Sequence, residues 1–217
     1  VPLHSALPSP QTEPMRPEQG DKPEMTTTSP QALVELTANE LRHHIGTREI
    51  SPVELLDACI ARIEAVNPHV NAVTATCYDR ARTEAKAAEQ AVLRGEPLGL
   101  LHGLPMGVKD LEATAGLPTT YGSQIYREHI PAEDNVLVAR LRAAGAIVTG
   151  KTNIPEMGAG ANSRNTVWGA TGNPFNPNLN AGGSSGGSAA ALATSPWTAE
   201  GPRWGGKPSS WRLRTTS

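Results

Sequence analysis

Seven consecutive residues, Gly182-Gly183-Ser184-Ser185-Gly186-Gly187-Ser188, constrain this chain more than any other stretch. They run directly into Ala189-Ala190-Ala191-Leu192-Ala193, which favours a helix. A glycine-rich backbone can turn through positive φ or approach another segment closely, and a serine hydroxyl can relay a proton or attack a carbonyl. A flexible linker has a similar composition. A linker, however, needs neither a helix start at its end nor a lysine delivered by an upstream strand. Lys109, in Gly107-Val108-Lys109-Asp110, is such a lysine.

The segments before the block alternate between helix and strand patterns. Thr37-Ala38-Asn39-Glu40 and Ser51-Pro52-Val53-Glu54 both have capping-box spacing, the second with proline at the first helical position. The first predicts a helix carrying Leu41, His44 and Ile45 to Gly46. The second predicts a helix with Leu55, Leu56, Cys59, Ile60 and Ile63 on one stripe, ending near Pro68. Val70 to Thr76 alternates like a strand, and Tyr78 to Arg94 is a long run of helix formers closed by Gly95. Met106-Gly107-Val108 reads as a strand that ends on Lys109. Asp134 is the expected N-cap of a helix carrying Val136, Leu137 and Leu141 and closed by Gly145, after which Ala146 to Thr149 reads as a short buried strand. Gly150 to Gly183 reads as a long loop of the kind that carries function. The alternation predicts an α/β fold, a mixed sheet covered by helices.

The 19 basic and 21 acidic side chains give a net charge of −2, which provides no electrostatic footprint for nucleic acid. No apolar run is long enough to cross a membrane. Cys59 and Cys77 fit neither a metal spacing nor a disulfide framework, so a reducing, cytoplasmic setting is expected. His43 and His44 lack carboxylate or thiol ligands at metal spacing and read as a solvated helix face. Val1 to Glu24 is rich in proline and polar residues without an apolar period. A disordered extension is therefore expected over residues 1–33, with Met25 a better start than Val1.

Gly145-Ala146-Ile147-Val148-Thr149-Gly150-Lys151-Thr152 matches the spacing of a phosphate-binding loop. Such a loop needs a strand before its first glycine and a helix after its lysine, whereas here a helix comes before and Asn153-Ile154-Pro155 comes after. Nucleotide binding is kept only as the alternative from another class. Lys109 has two readings of its own. One is a surface ion pair with Asp110 or Glu112. The other is a general base, which must be neutral to act and whose charged form is disfavoured by burial among apolar groups and hydroxyls.

Gly103-Leu104-Pro105-Met106-Gly107-Val108-Lys109-Asp110, Gly150-Lys151-Thr152-Asn153-Ile154-Pro155-Glu156, Gly172-Asn173-Pro174-Phe175 and the Gly182–Ala190 block, in that order, resemble the amidase signature family. The resemblance spans about Leu36 to Ala193. It implies a serine, cis-serine and lysine triad with Lys109 as base and Ser184 as the bridging serine after a cis peptide bond. Gly182, Gly183, Ser185, Gly186, Gly187 and Ser188 would shape the loop, Ser185 and Ser188 by supporting it or capping the helix. Asn165 and Asn173 would be structural. The implied reaction is hydrolysis of a small-molecule carboxylic amide through an acyl-serine, with no cofactor or metal. The amidase-type component of a tRNA-dependent amidotransferase stands as an alternative. Self-association is left open, and neither membrane nor direct nucleic-acid binding is implied.

The family's nucleophile is a serine in a Gly-Thr-Asp-x-x-Gly-Ser-like turn whose backbone N–H groups also form the oxyanion hole. The chain contains no such turn. Ser209 and Ser210 stand near the expected place beside Pro208, and the nucleophile is not identifiable. Residues 194–217 hold Trp197, Trp204 and Trp211, with little aliphatic content. They read as a non-family tail, such as a shifted reading frame would give. Residues 34–193 are then a partial amidase domain with an incomplete sheet, and this chain is expected to be inactive by itself.

Overall fold

The computed structural model describes residues 30–194. The helices are α1 (Pro30–Leu33), α2 (Ala38–Gly46), α3 (Pro52–Val70), α4 (Tyr78–Arg94), α5 (Val136–Ala143) and α6 (Gly186–Ala193). The main strands are β1 (Val73–Thr76), β2 (Pro105–Lys109) and β3 (Ile147–Thr152). Two small hairpins follow, β4 (Arg164–Asn165) with β5 (Gly169–Ala170), and β6 (Gly172–Asn173) with β7 (Asn176–Asn180).

The capping boxes start their helices as the spacing predicts. Thr37 Oγ1 accepts from Glu40 N–H while the Glu40 carboxylate accepts from Thr37 N–H at 2.7 Å, and Ser51 with Glu54 repeats the pattern ahead of Pro52. α3 runs two residues past Pro68 and stops at Asn71, which is left-handed at φ 49°. Pro68 cannot bond to the carbonyl four residues back, and the helix ends within one turn of it. The cap of α5 is Asn135, not Asp134. Asn135 Oδ1 accepts from Val138 N–H at 2.9 Å, while Asp134 accepts from Ala115 N–H and pairs with Arg142 at 3.0 Å. Pro30–Leu33, at the end of the segment expected to be disordered, forms a helical turn with Leu33 buried.

β3 is the central strand, antiparallel to β1 and parallel to β2. The parallel pair requires a crossover, and residues 110–146 with α5 supply it. One extra residue of β3 bulges between the Met106–Val148 and Gly107–Gly150 pairs. β3 extends to Thr152 and all six of its residues are buried. The stretch expected to open the long loop is therefore strand. The nucleotide-binding alternative fails for the same reason: Gly150 pairs with Gly107, and Lys151 points into the core without the exposed backbone N–H cradle that phosphate requires.

Leu41 and Ile45 of α2 pack with Leu55 and Cys59 of α3 and with Leu104. Leu56 and Ile60 meet Ala81 and Ala85 of α4 over Ile147. Val138 of α5 packs on Val108, Val148 and Leu117, while Ala190 and Ala191 of α6 seat on Ile63, Val70 and Val73. Burial of a large aliphatic side chain contributes about 1.5–3 kcal/mol. His43 and His44 lie on the outer side of α2, where His44 Nδ1 meets Glu49 Oε2 at 2.7 Å. No helix among the described residues is long and apolar enough to cross a membrane.

Burial pushes the Cys59 thiol from 9.0 up to about 12. The raised value favours the neutral form in the folded state, so this contribution to stability is complete below pH 9 and is lost as pH rises through 12. Unfolding midpoints measured across that window should fall with pH, and Cys59→Ala should flatten the slope even if it lowers stability throughout.

Candidate functional site

β2 and α6 bring two of the expected residues together. Along a strand successive side chains alternate, so Val108 faces α5 while Lys109 faces α6. Lys109 Nζ lies 2.8 Å from Ser184 Oγ, and both residues are half-buried. The Gly183–Ser184 peptide bond is cis. Lys109 is thus directed to a serine, and the surface ion pair with Asp110 or Glu112 is not formed. Asp110 points to the other face and is fully buried, accepting from Thr120 N–H at 3.0 Å and Thr120 Oγ1–H at 2.6 Å. Burial raises the Asp110 pKa, and the Thr120 hydrogen bonds oppose the rise.

Glycine is required where α6 meets the sheet. A Cβ on Gly187 would lie 2.3 Å from Asn153 N, 2.5 Å from Asn153 O and 2.8 Å from Ala72 O, all backbone atoms that cannot step aside. Gly187 N–H donates to Asn153 O at 3.1 Å, and Asn153 N–H donates to Ala72 O at 2.9 Å. Gly182 turns the chain at φ +75°, and its carbonyl accepts from Ser163 N–H at 2.8 Å. Gly186 N–H donates to Ser163 Oγ at 2.8 Å, while Gly183 packs on the backbone of Gly160 to Asn162.

The flanking serines divide. Ser188 Oγ is hydrogen-bonded to Thr152 Oγ1 at 2.8 Å, tying the first turn of α6 to the end of β3. Ser185 occupies the N-cap position but is exposed and makes no capping bond, so the expectation that it caps the helix is met only in position. Asn165 anchors its loop, donating to Asn153 Oδ1 and Ile154 O and accepting from Val167 and Trp168 N–H. Asn173 accepts from Phe175 N–H in a tight turn. Ser209 and Ser210 lie outside the described residues.

Asn153 and Thr152 support the site; the sequence carries both within the Gly150–Glu156 motif but assigns neither a role of its own. The fully buried Asn153 amide also donates to Gly169 O and Thr171 Oγ1. A buried polar side chain must find partners, and that Asn153 directly follows a strand emerges only once β3 is seen to reach Thr152. A surface cleft of about 410 Å³, lined by Glu84, His102, Arg142 and Ile147, opens at the beginning of β3. That is the opposite end of the strand from the residues paired with Lys109. Among the described residues, no group of His, Cys, Asp or Glu side chains is placed to hold a metal ion.

A family model described as Amidase matches residues 54–198. The chain is 41% identical over 167 residues to a glutamyl-tRNA(Gln) amidotransferase subunit from Anaeromyxobacter dehalogenans, covering 77% of this chain and 34% of that protein. Its structure resembles that of a bacterial aryl acylamidase of the amidase signature family, with TM-score 0.72, 36% identity, and coverage of 75% of this chain and 34% of that one. It also resembles the peptide amidase of Stenotrophomonas maltophilia, with TM-score 0.70, 33% identity, and coverage of 75% and 35%. The chain belongs to the amidase signature family, and it spans about a third of the length of these relatives.

Because only backbone meets the missing Cβ, Gly187→Ala should cost at least ~2 kcal/mol of stability. Urea unfolding at constant m-value measures it, with the exposed Ser185→Ala as a control expected to stay within about 0.5 kcal/mol of the parent.

Proposed function

We propose that this member of the amidase signature family supplies the general base and the relaying serine for hydrolysis of a carboxylic amide, with Lys109 as the base and Ser184 as the relay. The observation that carries this reading is the 2.8 Å contact between Lys109 Nζ and Ser184 Oγ. The chemistry requires Lys109 in its neutral form. As an attacking serine forms its bond to the amide carbon, its proton passes to Ser184 Oγ, and the Ser184 proton passes to Lys109 Nζ. The carbon–nitrogen bond then breaks, and the proton returns along the same path to the departing ammonia or amine. Water repeats the sequence on the acyl-serine and releases the acid.

In this reading residues 34–193 form the amidase part, and residues 1–33 and 194–217 lie outside it. The attacking serine and its oxyanion donors fall outside residues 30–194. The substrate is a small-molecule amide, and the protein works without a metal or organic cofactor.

Joining residues 1–193 to the remaining segment of the aryl acylamidase tests the roles. The chimera should release ammonia or amine from a panel of carboxamides and anilides. Lys109→Ala and Ser184→Ala should each lower kcat by about 10²- to 10⁴-fold. A folded chimera that turns over equally well without Lys109 would refute the assignment. For the 217-residue chain itself, a fluorophosphonate probe should label no serine. Labelling of Ser209 or Ser210 that disappears in Lys109→Ala would instead identify the nucleophile.

A second reading rests on the curated relatives named as amidotransferase subunits. The same pair would then serve in a multi-component complex that passes ammonia to a misacylated tRNA. Activity that appears only with partner proteins favours it; hydrolysis of simple amides by one chain favours the first reading.

A further inference from the structure

The largest fully buried side chain among the described residues is a second lysine, Lys151, one strand away from Lys109 and on the opposite face of the sheet. Its Nζ donates to the Glu112 carbonyl and, at 3.0 Å, to Thr114 Oγ1. The charged groups facing it are Asp110, Glu112 and Asp134, all from the 110–135 segment that leaves β2. An apolar residue would fill this space without the desolvation cost of an ammonium, so a cation there needs a reason beyond packing.

The backbone supplies one. Glu112 N–H donates to Lys109 O at 2.9 Å, closing a four-residue turn whose first residue is Lys109. The carbonyl at the far end of that turn is the one Lys151 holds, and Thr114 Oγ1 donates to the same oxygen at 3.0 Å. Between the two ends, Asp110 N–H donates to Thr152 O at 3.1 Å while its carboxylate is fastened to Thr120. Thr120 Oγ1 in turn accepts from Trp168 Nε1 at 2.8 Å. These side-chain anchors of the turn lie on the α5 face, which leaves the Lys109 side chain free to reach Ser184 on the α6 face.

We propose that Lys151 is a positioning residue for Lys109, its ammonium fixing from behind the turn that aims Lys109 Nζ at Ser184. Burial lowers the Lys151 pKa to about 8, and the three carboxylates oppose that shift. The turn is therefore held most firmly at and below neutral pH. The proposal rests on the roles assigned to Lys109 and Ser184 above.

Trace acetylation with acetic anhydride, quantified by peptide mass spectrometry from about pH 7 to 11 to span the lysine titration range, reads the amine of Lys109 without requiring turnover. The exposed Lys86 of the same 217-residue chain is the internal standard. In the parent chain Lys109 should react more slowly than Lys86, and Ser184→Ala should release it. In Lys151→Met the ratio of Lys109 to Lys86 acetylation should rise about fivefold, the equivalent of one lost hydrogen bond. Circular dichroism verifies that the variant is folded. Thr114→Val, which keeps the lysine and removes one of its acceptors, should shift the ratio in the same direction and decides the matter if Lys151→Met does not fold. A ratio unchanged from the parent in a folded variant overturns the proposal. A chimera that hydrolyses no amide would count against the proposed function and leave this measurement intact.

Discussion

The rest of the site depends on one backbone approach, that of Gly187 to Asn153. α6 can rest against the end of β3 only because a hydrogen atom stands where any other residue has a Cβ, and the Gly187–Asn153 hydrogen bond fixes its position. From there the geometry is propagated in both directions. Asn153 carries the contact onward to Ala72 at the start of β1, and Ser188 joins Thr152 one residue further along the helix. Ser184, at the mouth of the helix, has little freedom left, and the end of β2 delivers Lys109 to it.

A second constraint comes from the pleat. β2 and β3 each carry a lysine near the C-terminal end, and alternation sends the two to opposite faces of one sheet. Lys109 is half-buried and meets a hydroxyl, whereas Lys151 is fully buried and meets a carbonyl, a hydroxyl and three nearby carboxylates. The chemical type is the same, but the first meets a serine hydroxyl, as the proposed proton transfer requires, and the second meets backbone. The buried polar groups around them, Asp110, Thr120, Asn153 and Thr171, are hydrogen-bonded, as an interior of low dielectric requires.

Much of this was legible in the sequence where the determinant is local. The two capping boxes, the helical stripe of α3 and the glycine after α4 each depend on residues within one or two turns, and each element forms where its pattern predicts. Asn135 took the cap from Asp134 because the Asp134 carboxylate found a partner 19 residues upstream in Ala115, a contact no local rule contains. The formal phosphate-loop spacing, already at odds with its flanking elements, forms no loop for a similar reason: its second glycine and its lysine belong to a strand, and the strand is decided by pairing with β1 and β2.

The sequence alone determined the locally specified elements and the identities of the chemical groups: a strand ending on Lys109, a glycine–serine turn opening a helix, and an ordered set of motifs shared with a family. Only the tertiary structure decided which of those groups meet. Lys109 and Ser184 are 75 residues apart, Glu112 and Lys151 are 39 apart, and Thr152 and Ser188 are 36 apart. No periodicity reaches across such distances. The direction in which a strand presents a side chain is fixed by pairing register and by what packs on each face, and these exist only once the chain has closed on itself.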